Sequence, residues 1–122
     1  MTGWDFSVSG RLRSFRYAFA GIAYMLRTQH NAWIHLAVSF AVCLAGLRLG
    51  LSAADWRWII VAITLVWLTE AMNTAIEHLC DVVKPEFHAS VQKSKDIAAG
   101  AVLISATGAA CLGAMTFWPY LR

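Results

Sequence analysis

Trp67-Leu-Thr-Glu70-Ala-Met-Asn73-Thr-Ala-Ile-Glu77-His-Leu-Cys-Asp81 decides how this chain is read. It continues an apolar run from Trp58 to Thr69 that has the character of a membrane-spanning helix. At about 3.6 residues per turn, positions 70, 73, 77 and 81 fall on one narrow face. Two glutamates, an asparagine and an aspartate therefore project from one stripe of an otherwise apolar helix. Each ionisable group at membrane depth costs about 2.5–3.5 kcal/mol on insertion scales. Repeated carboxylates at that cost point to use. The structural alternative is a polar seam that locks helices together, but seams are usually built from amides and hydroxyls.

Composition agrees with a membrane setting. The chain has 122 residues, 59% of them hydrophobic and only 14% charged. Soluble domains carry roughly 25% charge and about 45–50% apolar residues. A net charge of +3 suits anionic head groups or a phosphate-bearing substrate. There is no basic run, so nucleic-acid recognition is not expected. Cys43, Cys80 and Cys111 are odd in number and widely spaced, which predicts packing roles and no disulfide framework. The opening Met1-Thr-Gly-Trp-Asp is polar, and insertion through the chain's own helices is expected.

Upstream of the acidic stripe, Ser52-Ala-Ala-Asp55 reads as a capping box with Asp in place of Glu. Trp56 and Trp58 flank Arg57 as an interfacial aromatic belt. Trp33 to Leu51 is a first span, close to the ~20 residues a hydrocarbon core needs. Arg48 near its end can snorkel. Thr28 to His35 reads as a linker, with Gln29, Asn31 and His35 as its polar candidates. Before it, Leu12, Phe15, Phe19, Ile22 and Leu26 recur at helical spacing against Arg11, Arg13, Arg16 and Arg27. That pattern predicts an amphipathic helix at the membrane–water interface, with Ser9 as its N-cap.

Downstream, Lys84-Pro85-Glu86-Phe87-His88 reads as a loop, with Pro85 ending the helix. A third span follows Lys95-Asp96, and its Ala101, Ser105, Ala109 and Gly113 form a small-residue face suited to close helix contact. The expected architecture is all-α: one integral-membrane domain over 1–122, with an interfacial helix at about 9–28 and membrane helices at about 33–51, 56–83 and 95–118. A chain so small has few internal surfaces for its polar groups, so an oligomer is expected. Arg11, Arg13, Arg16, Arg27, Lys84, Lys93 and Lys95 lie on one side, against Arg48, Arg57 and Arg122 on the other. The positive-inside rule then puts the amino terminus and second loop in the cytoplasm of a multi-pass protein.

This orientation brings Gln29, Glu77, Asp81, Glu86, His88, Lys95 and Asp96 to the cytoplasmic boundary, where ATP is available. Glu70 lies about 10 Å deeper at 1.5 Å per residue, within reach of a lipid head group. Oxygens of Glu77, Asn73 and Gln29 suit Mg²⁺, which keeps waters and substrate phosphates in its shell. Lys95 can neutralise a phosphate. A partly desolvated Glu70 suits proton abstraction from a hydroxyl. Together these groups describe phosphoryl transfer to an alcohol. No Walker A motif or kinase Gly-rich loop occurs.

The same residues carry a resemblance. Glu70-Ala-Met-Asn73-Thr-Ala-Ile-Glu77, Asp81, Pro85-Glu-Phe-His88 and Lys95-Asp-Ile-Ala-Ala-Gly-Ala-Val-Leu103 resemble the signature of the prokaryotic diacylglycerol kinase and undecaprenol kinase family. Ser14-Phe-Arg-Tyr-Ala-Phe-Ala-Gly21-Ile and Asn31-Ala-Trp-Ile-His35 resemble its amino-terminal segments, so the likeness runs over roughly residues 11 to 118. It implies a homotrimer in the bacterial cytoplasmic (inner) membrane, with active sites between subunits. It also implies transfer of the γ-phosphate of MgATP to the hydroxyl of a membrane lipid, as in phospholipid biosynthesis. Carried over by resemblance, Glu70 is the catalytic base and contacts the lipid, with Asn73 and Ala99 supporting the site. Glu77 is a metal ligand that orients the ATP phosphates. Tyr17, Glu86, His88, Lys95 and Asp96 contact the nucleotide. Position 29, commonly a glutamate and second metal ligand in the family, is Gln29 here, also on the nucleotide side. Gly10 stands where some relatives have an ATP-facing arginine, and Arg11 and Arg13 are the candidates to replace it. Lys95-Asp-Ile-Ala-Ala-Gly-Ala-Val is closer to the undecaprenol-kinase branch, although diacylglycerol also offers a primary hydroxyl.

Two other functions fit parts of the pattern. An ion or proton pathway would use Glu70, Glu77 and Asp81 as relays, but the acidic stripe stops at Glu70 and the outer half of that helix is apolar. A catalytically inactive membrane scaffold of the same fold would be consistent with Gln29.

Overall fold

The computed structural model describes residues 6–122 as four helices: α1 (Val8–Thr28), α2 (His30–Leu49), α3 (Ala53–Val83) and α4 (Ala89–Leu121). Helices α2, α3 and α4 are long and apolar enough to cross a membrane. The expected all-α architecture, with one amphipathic and three membrane helices, is therefore present. At 1.5 Å per residue, the 31 residues of α3 and the 33 of α4 extend to about 46 and 50 Å. Both exceed the ~30 Å hydrocarbon core. That length leaves room for the far end of the acidic stripe, around Asp81, to reach beyond an apolar layer of that thickness.

Helix boundaries follow local chemistry. The N-cap of α1 is Ser7, not Ser9: Ser7 Oγ accepts from the Gly10 N–H at 3.2 Å. Ser9 lies in the first turn and shares a 2.8 Å hydrogen bond with Ser7 Oγ. A cap must stand two or three residues before the N–H it satisfies, which selects Ser7. The expected linker from Thr28 to His35 contracts to Gln29 alone, extended at φ −113° and ψ 118°. Asn31 and His35 are both inside α2. Polar side chains do not break a helix that contains no proline or glycine, and they were the only signal for a linker there.

Between α2 and α3 the chain turns sharply. Gly50 adopts the left-handed conformation, φ 69° and ψ 49°, and the Leu51 N–H bonds back to Gly46 O at 3.1 Å, closing a Schellman-type end. Ser52 then caps α3 as expected, its Oγ accepting from the Asp55 N–H at 3.2 Å. After Pro85, His88 caps α4, its Nδ1 accepting from the Ser90 N–H at 3.2 Å. That helix begins at Ala89, well before the apolar run that follows Asp96.

Helix α3 runs antiparallel to both α2 and α4. Across α3 and α4 the pairs are Asp55 with Tyr120, Thr69 with Ser105 and Asp81 with Lys95. Across α2 and α3 they are Ser39 with Trp67 and His35 with Glu70. The partners run in opposite directions along each pair, so both crossings hold one register.

Only Met25, Ala32, Leu51, Ile59, Ala62 and Ala98 are buried apolar residues among those described. Leucines, valines and phenylalanines instead face outward along every helix, as lipid or a second copy of the chain requires. On α1 only Met25 is buried, which agrees with a helix lying on the membrane surface. Cys43 and Cys80 are half-buried, and Cys111 is exposed. Packing within one subunit therefore accounts for the first two and not for Cys111, which projects outward from α4.

Candidate active site

The α3 stripe grades from interior to surface. Glu70 and Asn73 are buried, Glu77 is half-buried and Asp81 is exposed. The four residues share a face as the spacing required, but they sit in different surroundings. Glu70 is 0% exposed, with Oε2 at 3.3 Å from His35 Nε2 across the α2–α3 crossing. Its other oxygen, Oε1, is buried with no hydrogen-bond partner among the described residues. Asn73 donates through Nδ2 to Glu77 Oε1 at a long 3.4 Å. Its Oδ1 is buried and likewise without a partner. Two adjacent turns of α3 thus hold two acceptors that lack donors. A buried polar atom left unpaired costs about 1–3 kcal/mol, so both atoms call for a ligand.

Helix locking is the work of other residues. Trp67 Nε1 donates to Ser39 Oγ at 3.0 Å, and Thr69 and Ser105 share a 2.6 Å hydrogen bond. These hydroxyl and indole contacts are the seam. Of the stripe's inner members, only Glu70 bridges to another helix, and it does so with one oxygen.

At the outer edge of the stripe, Lys95 Nζ lies 2.6 Å from Asp81 Oδ1. Asp96 accepts from Gln92 Nε2 at 2.9 Å on the same helix. The exposed Ala99 stands one turn beyond Lys95 on α4. In the loop, Glu86 pairs with Lys84 at 3.0 Å. Its own backbone N–H, and then Lys84, hold its carboxyl below the usual range, so it is ionised at neutral pH. His88 spends Nδ1 on the α4 cap. Tyr17 projects from α1, largely exposed.

The described contacts join Asn73 to Glu77 and Lys95 to the stripe through Asp81. They do not join Tyr17, Gln29, Glu86 or His88 to it. Gln29 is half-buried at the α1–α2 junction, and its side chain does not cap α2. Tyr24 meets His78 with ring centroids 5.2 Å apart and planes tilted by 60°, which brings the end of α1 to the level of Glu77. Sequence reasoning passed over Tyr24 and His78, since a lone aromatic and a lone histidine on two helices give no pairing signal. It noted His35 only as polar.

An apolar cleft of about 550 Å³ runs along α3 between α2 and α4, with His35 and Ser39 as polar members of its wall. Ala109 and Gly113 of the small-residue face line this cleft. The face was expected to give close contact throughout. Ser105 does so through Thr69, Ala101 is exposed, and further along the missing side-chain volume leaves space instead.

Fold and site together define an all-α membrane protein with a one-sided polar site at the end of a long central helix. The family model for prokaryotic diacylglycerol kinase matches residues 16–117, which include every candidate site residue from Tyr17 to Ala99. Undecaprenol kinase from Bacillus subtilis (strain 168) is 36% identical over 109 residues, which cover 89% of each chain. A diacylglycerol kinase from Synechocystis sp. is 39% identical over 111 residues, 90% of this chain and 63% of that relative. A diacylglycerol kinase from Helicobacter pylori (strain ATCC 700392 / 26695) is 29% identical over 108 residues, 82% of this chain and 84% of the relative. This chain belongs to the prokaryotic diacylglycerol kinase family and is a membrane lipid kinase.

Proposed function

We propose that the chain transfers the γ-phosphate of MgATP to the primary hydroxyl of a membrane lipid alcohol at the cytoplasmic boundary. The Lys95-Asp-Ile-Ala-Ala-Gly-Ala-Val segment favours undecaprenol as acceptor, giving undecaprenyl phosphate. Diacylglycerol, giving phosphatidic acid, is the competing acceptor. Relatives named for either activity match the chain at comparable identity, so the acceptor has to be measured.

The observation that carries this reading is the pair of buried acceptors without donors, Glu70 Oε1 and Asn73 Oδ1, next to Glu77. A lipid hydroxyl is a donor of the kind Glu70 Oε1 lacks. In the step, Glu70 takes the hydroxyl proton as the lipid oxygen bonds to the γ-phosphorus. The bond from that phosphorus to the β–γ bridging oxygen breaks, and ADP leaves. The proton passes from Glu70 to water. Lys95 neutralises phosphate charge once it exchanges Asp81 for the nucleotide. That pair is open to solvent and so holds Lys95 only weakly.

Among the described residues no three His, Cys, Asp or Glu side chains converge on one point as a metal cage. Mg²⁺ is commonly held by one or two carboxylates together with substrate phosphates. Glu77 and the unpaired Asn73 Oδ1 would hold such a partial shell, with Gln29 as the amide candidate from the α1–α2 junction, and the bound cation would offset phosphate charge. Because Gln29 brings no charge, Glu77 carries most of the protein's share. A homotrimer in the cytoplasmic membrane, amino terminus inside, is part of the proposal. The scarcity of buried apolar side chains in one subunit supports it.

The test is phosphate transfer from labelled ATP by purified protein in lipid–detergent micelles, with and without Mg²⁺. Undecaprenol and diacylglycerol are offered side by side, with Glu77→Ala as blank. A labelled lipid that requires Mg²⁺ and Glu77 is the expected product. An intact, correctly assembled protein that labels neither lipid favours the inactive-scaffold reading and makes Gln29 the first residue to revert.

A further inference from the structure

A buried carboxylate with two different oxygens raises the question of what holds it still. Glu70 Oε2 faces His35 Nε2 at 3.3 Å, while Oε1 is free of partners among the described residues. Both side chains are withdrawn from solvent, at 16% exposure for His35 and 1% for Glu70. The His35 ring is itself fixed. It lies edge-on to Trp67, with centroids 6.3 Å apart and planes at 63°, and the Trp67 indole N–H is anchored on Ser39 Oγ at 3.0 Å. Ser39 is one turn beyond His35 on α2, and Trp67 is one turn before Glu70 on α3. The four side chains therefore alternate between two helices in one chain of contacts: Ser39 to Trp67, Trp67 to His35, and His35 to Glu70.

We propose that His35 is a positioning residue for the phosphoryl-transfer step. It donates its Nε2–H to Glu70 Oε2 and so presents Oε1, the oxygen without a partner, to the lipid hydroxyl. This inference rests on the reading of Glu70 as base. It assigns the working oxygen, and it requires the His35 tautomer that carries hydrogen on Nε2. A rigid base matters because the reacting atoms must lie about 3–3.5 Å apart and aligned, and a misplacement near 1 Å can cost about 100-fold. The contact also gives α2 a purpose at this depth: its polar residue at position 35 serves the base directly, not the turn.

The experiment compares the wild type with His35→Phe, His35→Gln and Glu70→Gln in the micelle assay. Phenylalanine keeps a ring against Trp67 but removes the N–H. Glutamine replaces the N–H donor but cannot take up a proton as imidazole can. The expected result is a fall in kcat of about 10–100-fold for His35→Phe, with KM for MgATP within about twofold of wild type, because His35 touches the base and not the nucleotide. His35→Gln should recover most of the lost kcat. Thermal midpoint and helix content are measured for each variant.

Wild-type kcat in His35→Phe overturns the proposal. So does His35→Gln as slow as His35→Phe with both folded, since the donor would then be irrelevant. Loss of helix content in either variant also counts against it, because a positioning residue is dispensable to the fold. Glu70→Gln separates the two readings. If it turns over normally, the base assignment falls and takes this inference with it. If it is inactive while His35→Phe is unaffected, only the role of His35 falls.

Discussion

The start of α3 and its polar stripe treat polar groups in opposite ways. At the outer end, around Ser52, the half-buried and exposed groups answer one another. Ser52 caps α3 through the Asp55 N–H, Tyr120 Oη accepts from the Ser52 N–H at 3.1 Å, and the same hydroxyl donates to Asp55 Oδ2. Beside this lock, Gly46 leaves room for Trp56 and Leu51. A Cβ at Gly46 would lie 2.7 Å from the Trp56 ring and 2.9 Å from Leu51 Cδ1. At the inner end, Glu70 and Asn73 each keep one acceptor without a donor among the described residues. The same helix thus carries a closed network at its start and an incomplete one around Glu70 and Asn73. Closed networks rigidify, whereas an unsatisfied buried acceptor persists at a cost in stability that a bound ligand can relieve.

The comparison is broken most severely at the inner end. Glu70→Ala should lower kcat by about 10²–10⁴-fold, the usual contribution of a positioned acid or base. It should leave helix content intact and cost about 1–3 kcal/mol of stability, because His35 Nε2 loses its buried partner. Turnover assays with thermal unfolding in detergent check both parts, and near-normal turnover would remove Glu70 from the reaction.

At the outer end the signs reverse. Gly46→Val should destabilise by about 1–3 kcal/mol, because the new branch meets Trp56 and Leu51 in a packed site. Activity per folded molecule should hold at temperatures well below the midpoint. Tyr120→Phe is milder. It deletes one hydroxyl that serves both Ser52 and Asp55, and water at the membrane surface can replace it. A loss of about 1 kcal/mol is expected from unfolding curves, with kcat unchanged. The smallest effect sharpens the inner end: Gln29→Glu should reduce the Mg²⁺ concentration for half-maximal rate a few-fold without altering kcat greatly. An unchanged or higher requirement places residue 29 outside the metal shell.

Legibility differs along the chain for definable reasons. Helix type, the three spans and the Ser52 cap were readable because periodicity, apolar length and capping chemistry are local. Pro85 marked a break for the same reason. The cap at Ser7 and the one-residue junction at Gln29 were misplaced, since several polar residues competed for each boundary and only backbone geometry chooses among them. The acidic stripe could be placed on one face from its spacing, but spacing carries no information on depth of burial.

What the sequence alone determined is therefore the membrane class, the helical architecture, the clustering of Glu70, Asn73, Glu77 and Asp81 on one face, and the family through those same residues. Tertiary structure decided which of them are shielded and what each one touches. It paired His35 with Glu70, Trp67 with Ser39 and Lys95 with Asp81. It also left Glu70 Oε1 and Asn73 Oδ1 unpaired. The physical reason is range: helical periodicity fixes neighbours three and four residues apart, whereas contact between residues 35 and 70 depends on the crossing register of two helices, which packing alone sets.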